Sequence, residues 1–158
     1  MKFKAKVLIF LINPKTNQVC LSTKAYGIKK GYFNAYGGKI DKKETLEQAA
    51  IRELYEESTV KADPKDLKFM GRIFLHVPSI QEDILEYIYL LYKWQGTPSA
   101  TDEMINPTWF DIDSLPYNQM MPYYEYWIDY VVKKQTAINA FFKLKDFKPT
   151  TFFISLDN

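Results

Sequence analysis

Hydrophobic positions along this chain switch from the two-residue period of strands to helical spacing and back, and the switches mark the elements. Residues 3–12 are β-rich and end in an unbroken apolar run from Val7 to Ile12. The turn-forming cluster Asn13-Pro14-Lys15-Thr16-Asn17 then leads to a second strand near 18–24, which predicts a β-hairpin. Residues 25–38, with glycines at 27, 31, 37 and 38, predict a loop. From Glu44 to Ser58 there is neither Gly nor Pro, and Leu46, Ala49, Ala50 and Leu54 recur at helical spacing, so this stretch predicts a helix. Pro64 and Asp66 mark a turn before strands near 67–77 and 84–94, followed by a polar loop over 95–106 and a short strand from Thr108 to Ile112. Pro122 to Lys134 predicts a second helix, with Pro122 suited to its first turn. Runs at 138–144 and 150–156 predict a closing hairpin around Asp146 to Pro149. Strands surrounding two helices give an α+β sandwich with a mixed sheet. No repeat or low-complexity linker divides the chain, so residues 1–158 are expected to form a single domain.

Composition alters this picture little. The chain is 47% hydrophobic and 25% charged, as expected of a soluble domain, but aromatic residues reach 16%. That excess fits either an aromatic core or a pocket that stacks a flat ligand. The formal net charge of +2 comes without a long basic run, so binding to a nucleic-acid duplex is not expected, while a small anionic substrate is compatible. Cys20 stands alone, which makes a reducing cytoplasmic setting the expectation. Lys2, Lys4 and Lys6 before the apolar run resemble the start of a secretion signal, but the run is short and ends in Asn13-Pro14-Lys15, so a first core strand is expected. Nothing approaches membrane-spanning length.

The candidate chemistry lies on the first helix. At about 100° per residue, Glu53, Glu56 and Glu57 share one arc with Leu46, Ala49 and Ala50, and Ile51 and Tyr55 lie opposite. A solvated acidic face is one reading. With apolar residues on both sides, however, the helix is expected to be covered, and carboxylates brought together under cover need a counter-charge. Oxygen ligands without His or Cys suit Mg²⁺ or Mn²⁺ rather than zinc.

Spacing adds to this. Gly38 is followed after five residues by Glu44, then after seven by Arg52-Glu53-Leu54-Tyr55-Glu56-Glu57-Ser58-Thr59-Val60. The pattern resembles the Nudix box, with Thr59 in place of a glycine that ends the helix in a left-handed conformation. The resemblance implies the Nudix fold, an α/β/α sandwich, and metal-assisted cleavage of a diphosphate by an activated water. It also implies that Glu53, Glu56, Glu57 and the Gly38 carbonyl hold the metal, that Arg52 orients Glu53, and that Glu44 supports the site from the helix start.

Beyond the box, Asn34-Ala35-Tyr36-Gly37-Gly38-Lys39, Gln95-Gly96-Thr97-Pro98, Asp102-Glu103-Met104 and Trp109-Phe110 are similar to the MutT-homologue group that hydrolyses oxidised purine nucleoside triphosphates. This second resemblance implies that Asn34 reads the purine edge and Lys24 contacts the pocket or phosphates. Gly37 and Lys39 line the substrate site, and Glu103 is a loop carboxylate near the metal, as a further ligand or a base. The base-binding segment departs from the pattern: Met121, Tyr123 and Tyr124 stand where that group has a tryptophan and two aspartates. Two other readings keep the fold, namely hydrolysis of a dinucleoside polyphosphate, a capped RNA or a pterin triphosphate, and a binding module without catalysis. The box carboxylates, all present, favour an enzyme, expected to act as a monomer.

Overall fold

A computed structural model describes residues 1–157. The described residues form a nine-stranded mixed sheet. Its strands are β1 (Lys2–Asn13), β2 (Gln18–Lys24), β3 (Phe33–Asn34), β4 (Tyr36–Lys39), β5 (Leu67–Val77), β6 (Glu82–Leu91), β7 (Met104–Asp111), β8 (Ala137–Lys145) and β9 (Lys148–Asp157), and helix α1 (Leu46–Ser58) lies between β4 and β5. The order is β3-β2-β1-β6-β5-β8-β9, with β4 also on β1 and β7 also on β2. Two pairings are parallel, β1 with β6 and β5 with β8. The unbroken run in β1 follows from this placement, because a central strand is covered on both faces. Leu8, Phe10 and Ile12 enter one core with Trp127, Ile128 and Val131, and Val7, Ile9 and Leu11 enter another with Ala49, Ala50 and Leu54 of α1.

Helix α1 begins two residues later than expected. Thr45 caps it: its hydroxyl accepts the Gln48 N–H at 3.1 Å, and the Gln48 side chain accepts the Thr45 N–H at 2.9 Å. Glu44 therefore lies ahead of the helix. Cover on both sides does not materialise either: Tyr55 is 49% exposed and Glu56 is exposed, so α1 buries one face only. At the other end Thr59 takes the left-handed conformation, φ 65°, and donates its N–H to the Tyr55 carbonyl at 2.8 Å. The helix keeps its end without glycine, at a strain of about 1–2 kcal/mol.

Three further expectations are corrected. The glycine-rich 25–38 segment folds its last part into β3 and β4. Gly37 signals a loop by composition, yet it sits in β4 because any Cβ there would run into the Val7 carbonyl of β1. Pro122 to Lys134 is not one helix but a 3₁₀ turn, Tyr124–Tyr126, and a π-turn, Asp129–Lys133. Its buried pairs 123/124, 127/128 and 131/132 recur every four residues, and the π-turn, wider than an α-helix, keeps Val131 and Val132 inside. Finally, the strand placed at 84–94 runs Glu82–Leu91, and the short strand at 108–112 is the longer β7. No helix of the described residues is long and apolar enough to cross a membrane.

Candidate active site

The apolar stripe of α1 seats it against β4 and β1, and the same turn of the helix directs Glu53 and Glu57 inward. Glu53 is 8% exposed and Glu57 1%. Glu103, just before β7, completes a trio in which one oxygen from each carboxylate lies within 4.8 Å of the others. Gly38 makes room for this, since a Cβ there would overlap the Glu53 carboxylate. Glu57 accepts the Gly37 N–H at 2.7 Å and a Lys24 ammonium hydrogen at 3.3 Å.

Burial dominates the electrostatics. It pushes the Glu57 carboxyl up to about 7, with neighbouring Glu53 adding to the rise and Lys24 and the Gly37 N–H opposing it. Glu53 is raised too, first by burial and then by Glu56 and Glu103, against the pull of Arg52. The trio is thus short of positive charge, and its donor set is all oxygen. Both properties fit a hard divalent cation and suit neither zinc nor a soft metal.

Arg52 holds the outer side of the trio. Its guanidinium bonds the Glu44 carboxylate through Nε and Nη2, the latter at 2.9 Å, Glu53 at 2.9 Å, the Lys39 carbonyl at 3.0 Å and Glu56 at 3.3 Å. Five donors in one plane make these bonds possible from a single side chain. The Arg52 hydrogen bonds, with the Asp41 N–H, hold the Glu44 carboxyl down to about 2, so Glu44 stays ionised and keeps Arg52 in place. The expected Arg52–Glu53 pair is present, anchored by Glu44 from outside the helix.

Comparison with known proteins fits this geometry. The NUDIX domain family model matches residues 2–131. The chain belongs to the Nudix hydrolase family. An oxidized purine nucleoside triphosphate hydrolase of Danio rerio is 34% identical over 139 residues, covering 88% of this chain and 87% of that protein. One of Mus musculus is 32% identical over 134 residues, with coverage of 85% and 83%. The crystal structure of a MutT protein from Bacillus halodurans superposes with a TM-score of 0.80 over 96% of this chain and 97% of that one; at 14% identity the likeness concerns the fold.

The rest of the predicted Nudix site divides. Glu56 stands apart from the trio, exposed and tied to Arg52. Lys39 meets Arg52 through its carbonyl, while its side chain is exposed. Lys24 pairs with Glu57. Asn34 is buried, and its Oδ1 accepts the Tyr124 hydroxyl. Met121, Tyr123 and Tyr124 are buried in the core on the side of the sheet away from α1, so neither tyrosine presents an open face for a ring to stack on.

Sequence reasoning missed Glu86, Lys29 and Lys6. Glu86 of β6 is 3% exposed, between Ile84 and Ile88 of the same core. A lone acid at an inward position of an alternating strand was the signal available for it. Lys6 is its register partner on β1, with an ammonium held down to about 8, first by burial and then by Lys29. In the sequence Lys6 stands only as one of three lysines ahead of the apolar run of the first strand.

Proposed function

We propose that this chain is a Mg²⁺-dependent nucleoside triphosphate pyrophosphohydrolase that converts oxidised purine (d)NTPs, such as 8-oxo-dGTP and 2-hydroxy-dATP, to the monophosphate and pyrophosphate. The observation that carries the reading is the trio of buried Glu53 and Glu57 with half-buried Glu103. The substrate class follows the printed activity of the Danio rerio and Mus musculus relatives. Glu53, Glu57 and Glu103 would hold the cation, joined by the Gly38 carbonyl and, from the rim, Glu56. When bound, a divalent cation neutralises the diphosphate and lowers the pKa of a water that attacks phosphorus.

The chain's own groups do the positioning, which is most of what phosphoryl chemistry asks of a protein. Arg52, held by Glu44, fixes Glu53. The Gly37 N–H fixes Glu57, and that leaves the carboxylate's second oxygen, which Lys24 contacts, to face the site. Lys24, paired with Glu57, would supply positive charge to the phosphates from the same side. Gly37 and Gly38 let the substrate approach the backbone closely, with Lys39 on the exposed rim. Asn34 contacts the base. The protein is taken to work as a single domain over residues 1–158, as a monomer in the cytoplasm.

The test is a hydrolysis screen with Mg²⁺ over 8-oxo-dGTP, 2-hydroxy-dATP, dGTP and dATP, with products separated to distinguish pyrophosphate from phosphate. Oxidised substrates should have the higher kcat/KM. If they are turned over no better than dGTP and dATP, the sanitising role is wrong. If no pyrophosphate is released, the reaction itself is wrong.

A further inference from the structure

The base-side segment lacks the two carboxylates its relatives' pattern has, and the structure sets a carboxylate from a different strand against Tyr123. Glu86 reaches it from β6. The Tyr123 hydroxyl lies 3.4 Å from Glu86 Oε2, the Lys29 ammonium 3.7 Å from Glu86 Oε1, and Lys29 is 3.3 Å from the Tyr123 hydroxyl. The Lys29 ammonium also stands 5.8 Å over the Tyr123 ring. Tyr124 packs at a tilt against Tyr123, ring centroids 5.0 Å apart, and its hydroxyl donates to Asn34, so the buried pairs Glu86–Tyr123 and Tyr124–Asn34 lie side by side in the core. These pairs adjoin the acidic trio: the Lys6 ammonium, beside Glu86, feels both Lys29 and Lys24, and Lys24 contacts Glu57.

We infer that Glu86 is the specificity-determining residue of this site and selects purines that carry an N–H at N1 beside an exocyclic amino group. The inference rests on the proposed nucleotide substrate. A carboxylate accepts hydrogen bonds, and at this depth it must be supplied with donors or a counter-charge. The Tyr123 hydroxyl donates to one oxygen here, and the Lys29 ammonium pairs with the other at 3.7 Å. It enters from the exposed loop between β2 and β3, where Ile28 is 59% exposed and Gly27 and Gly31 have φ of 84° and 83°. A ligand that takes the place of Lys29 must bring N–H groups of its own or leave a buried charge unpaired.

Guanine and 8-oxoguanine offer N1–H and the 2-amino group side by side, a spacing that matches the two oxygens of a carboxylate. The oxo form of 2-hydroxyadenine offers N1–H beside the 6-amino group. Adenine presents a bare N1 lone pair, which a carboxylate repels. One acid therefore accounts for a site that takes both oxidised purines and rejects ordinary adenine. The Tyr123 hydroxyl and Asn34 remain for the neighbouring carbonyl oxygen.

The experiment compares the wild type, Glu86→Gln and Lys29→Met. Binding of dGMP, 8-oxo-dGMP and dAMP is measured by titration calorimetry on metal-free protein, and kcat/KM for the corresponding triphosphates is measured with Mg²⁺. Wild type should bind dGMP and 8-oxo-dGMP at least about tenfold tighter than dAMP. Glu86→Gln should reduce that ratio to about twofold or less, with the same change in the kcat/KM ratio. Lys29→Met should tighten dGMP binding about threefold or more, because no resident donor has to be displaced. Equal binding of dGMP and dAMP by the wild type overturns the inference. So does a Glu86→Gln protein that keeps the ratio, or one that weakens all nucleotides alike. If Glu86→Gln does not fold, weaker dGMP binding by Lys29→Met overturns it. A protein that discriminates the monophosphates through Glu86 but hydrolyses none of the triphosphates supports the base reading and defeats the proposed reaction instead.

Discussion

Two places in this molecule bury carboxylates, and they differ in what surrounds them. On α1, Glu53 and Glu57 face each other and Glu103, with Arg52 and Lys24 as the cations in contact. On β6, Glu86 faces Lys29, with Lys6 beside it in register and a tyrosine hydroxyl close by. The first group is deficient in positive charge and burial pushes its carboxyls toward neutrality. The second has its donors already. A deficit calls for a cation from outside; a matched site calls for a ligand that can replace what matches it. On the proposed reading, the same side chain would serve metal binding in one region and base discrimination in the other.

The sharpest way to break that contrast is Glu57→Gln. The amide oxygen can keep the Gly37 N–H bond, so shape is retained while the charge is lost. Mg²⁺-dependent kcat should fall about 10²–10³-fold for every nucleotide tested, without changing the order of preference. The thermal midpoint of the metal-free protein at pH 8 should not fall, because a buried charge has been removed. A variant that keeps wild-type turnover would show that the trio is not the metal site, and the contrast between the regions would have no chemical meaning.

Arg52→Lys comes next. An ammonium cannot bond Glu44, Glu53 and the Lys39 carbonyl from one plane. With Glu53 no longer fixed, kcat/KM should drop about 10–100-fold and the Kd for Mn²⁺ should rise by a similar factor. Loss of stability with unchanged Mn²⁺ affinity would mean that Arg52 only pins the Glu44 segment to the helix.

How much of each region could be read beforehand follows from how each is built. The carboxylate trio is made mostly by one helix and the glycines before it, with Glu103 added from the approach to β7, so most of its geometry is carried by spacing, and Gly38, Glu44, Arg52, Glu53, Glu57 and Glu103 were candidates from the chain alone. The same local logic overreached at Glu56, because an arc of about 100° was treated as uniformly covered although only the side of Ala49, Ala50 and Leu54 is buried. The base side is made by long-range contacts. Glu86 meets Tyr123, 37 residues away, and Tyr124 meets Asn34 across 90 residues. Spacing says nothing about such pairs. Segment 121–124 therefore looked stripped of its acids, when an acid had come in from another strand. The fold showed the same divide. Strands β8 and β9 were evident from alternation, and β1 and β2 from a β-rich apolar run and the turn cluster after it, whereas β3, β4 and the broken 122–134 segment depended on close packing against distant neighbours.

The deficit on α1 also predicts a pH dependence. In the metal-free protein Glu57 rises from the ordinary 4.5 to about 7, so between those values the folded state keeps a proton that the unfolded chain has released. Its contribution to unfolding free energy then falls as pH rises through this window. A cation binds the deprotonated carboxylates and must displace that proton below about pH 7. Saturating Mg²⁺ should therefore raise the thermal midpoint by about 5–10 °C at pH 8, and by less than half as much at pH 5.5. Equal shifts at the two pH values would place the cation away from Glu57.

Thr59 tests where the box stops carrying chemistry and carries only helix termination. It departs from the family's glycine, and the structure shows it accepting the left-handed conformation rather than moving the helix end. Ser58 helps to hold the turn: its hydroxyl donates to the Leu54 carbonyl at 2.6 Å and accepts the Val60 N–H at 3.2 Å. Thr59 itself touches none of the trio through the bonds that hold it. In Thr59→Gly, release of the left-handed strain, about 1–2 kcal/mol, is partly offset by glycine's greater freedom in the unfolded chain, about 0.5–1 kcal/mol. A net gain of about 0.5–1 kcal/mol should raise the thermal midpoint by about 1–4 °C. Because the helix end already sits where glycine would put it, kcat/KM should stay within about twofold of wild type. A large change in turnover would mean that the strained turn helps to position Glu57, two residues earlier, and that helix termination and metal binding are coupled in this protein.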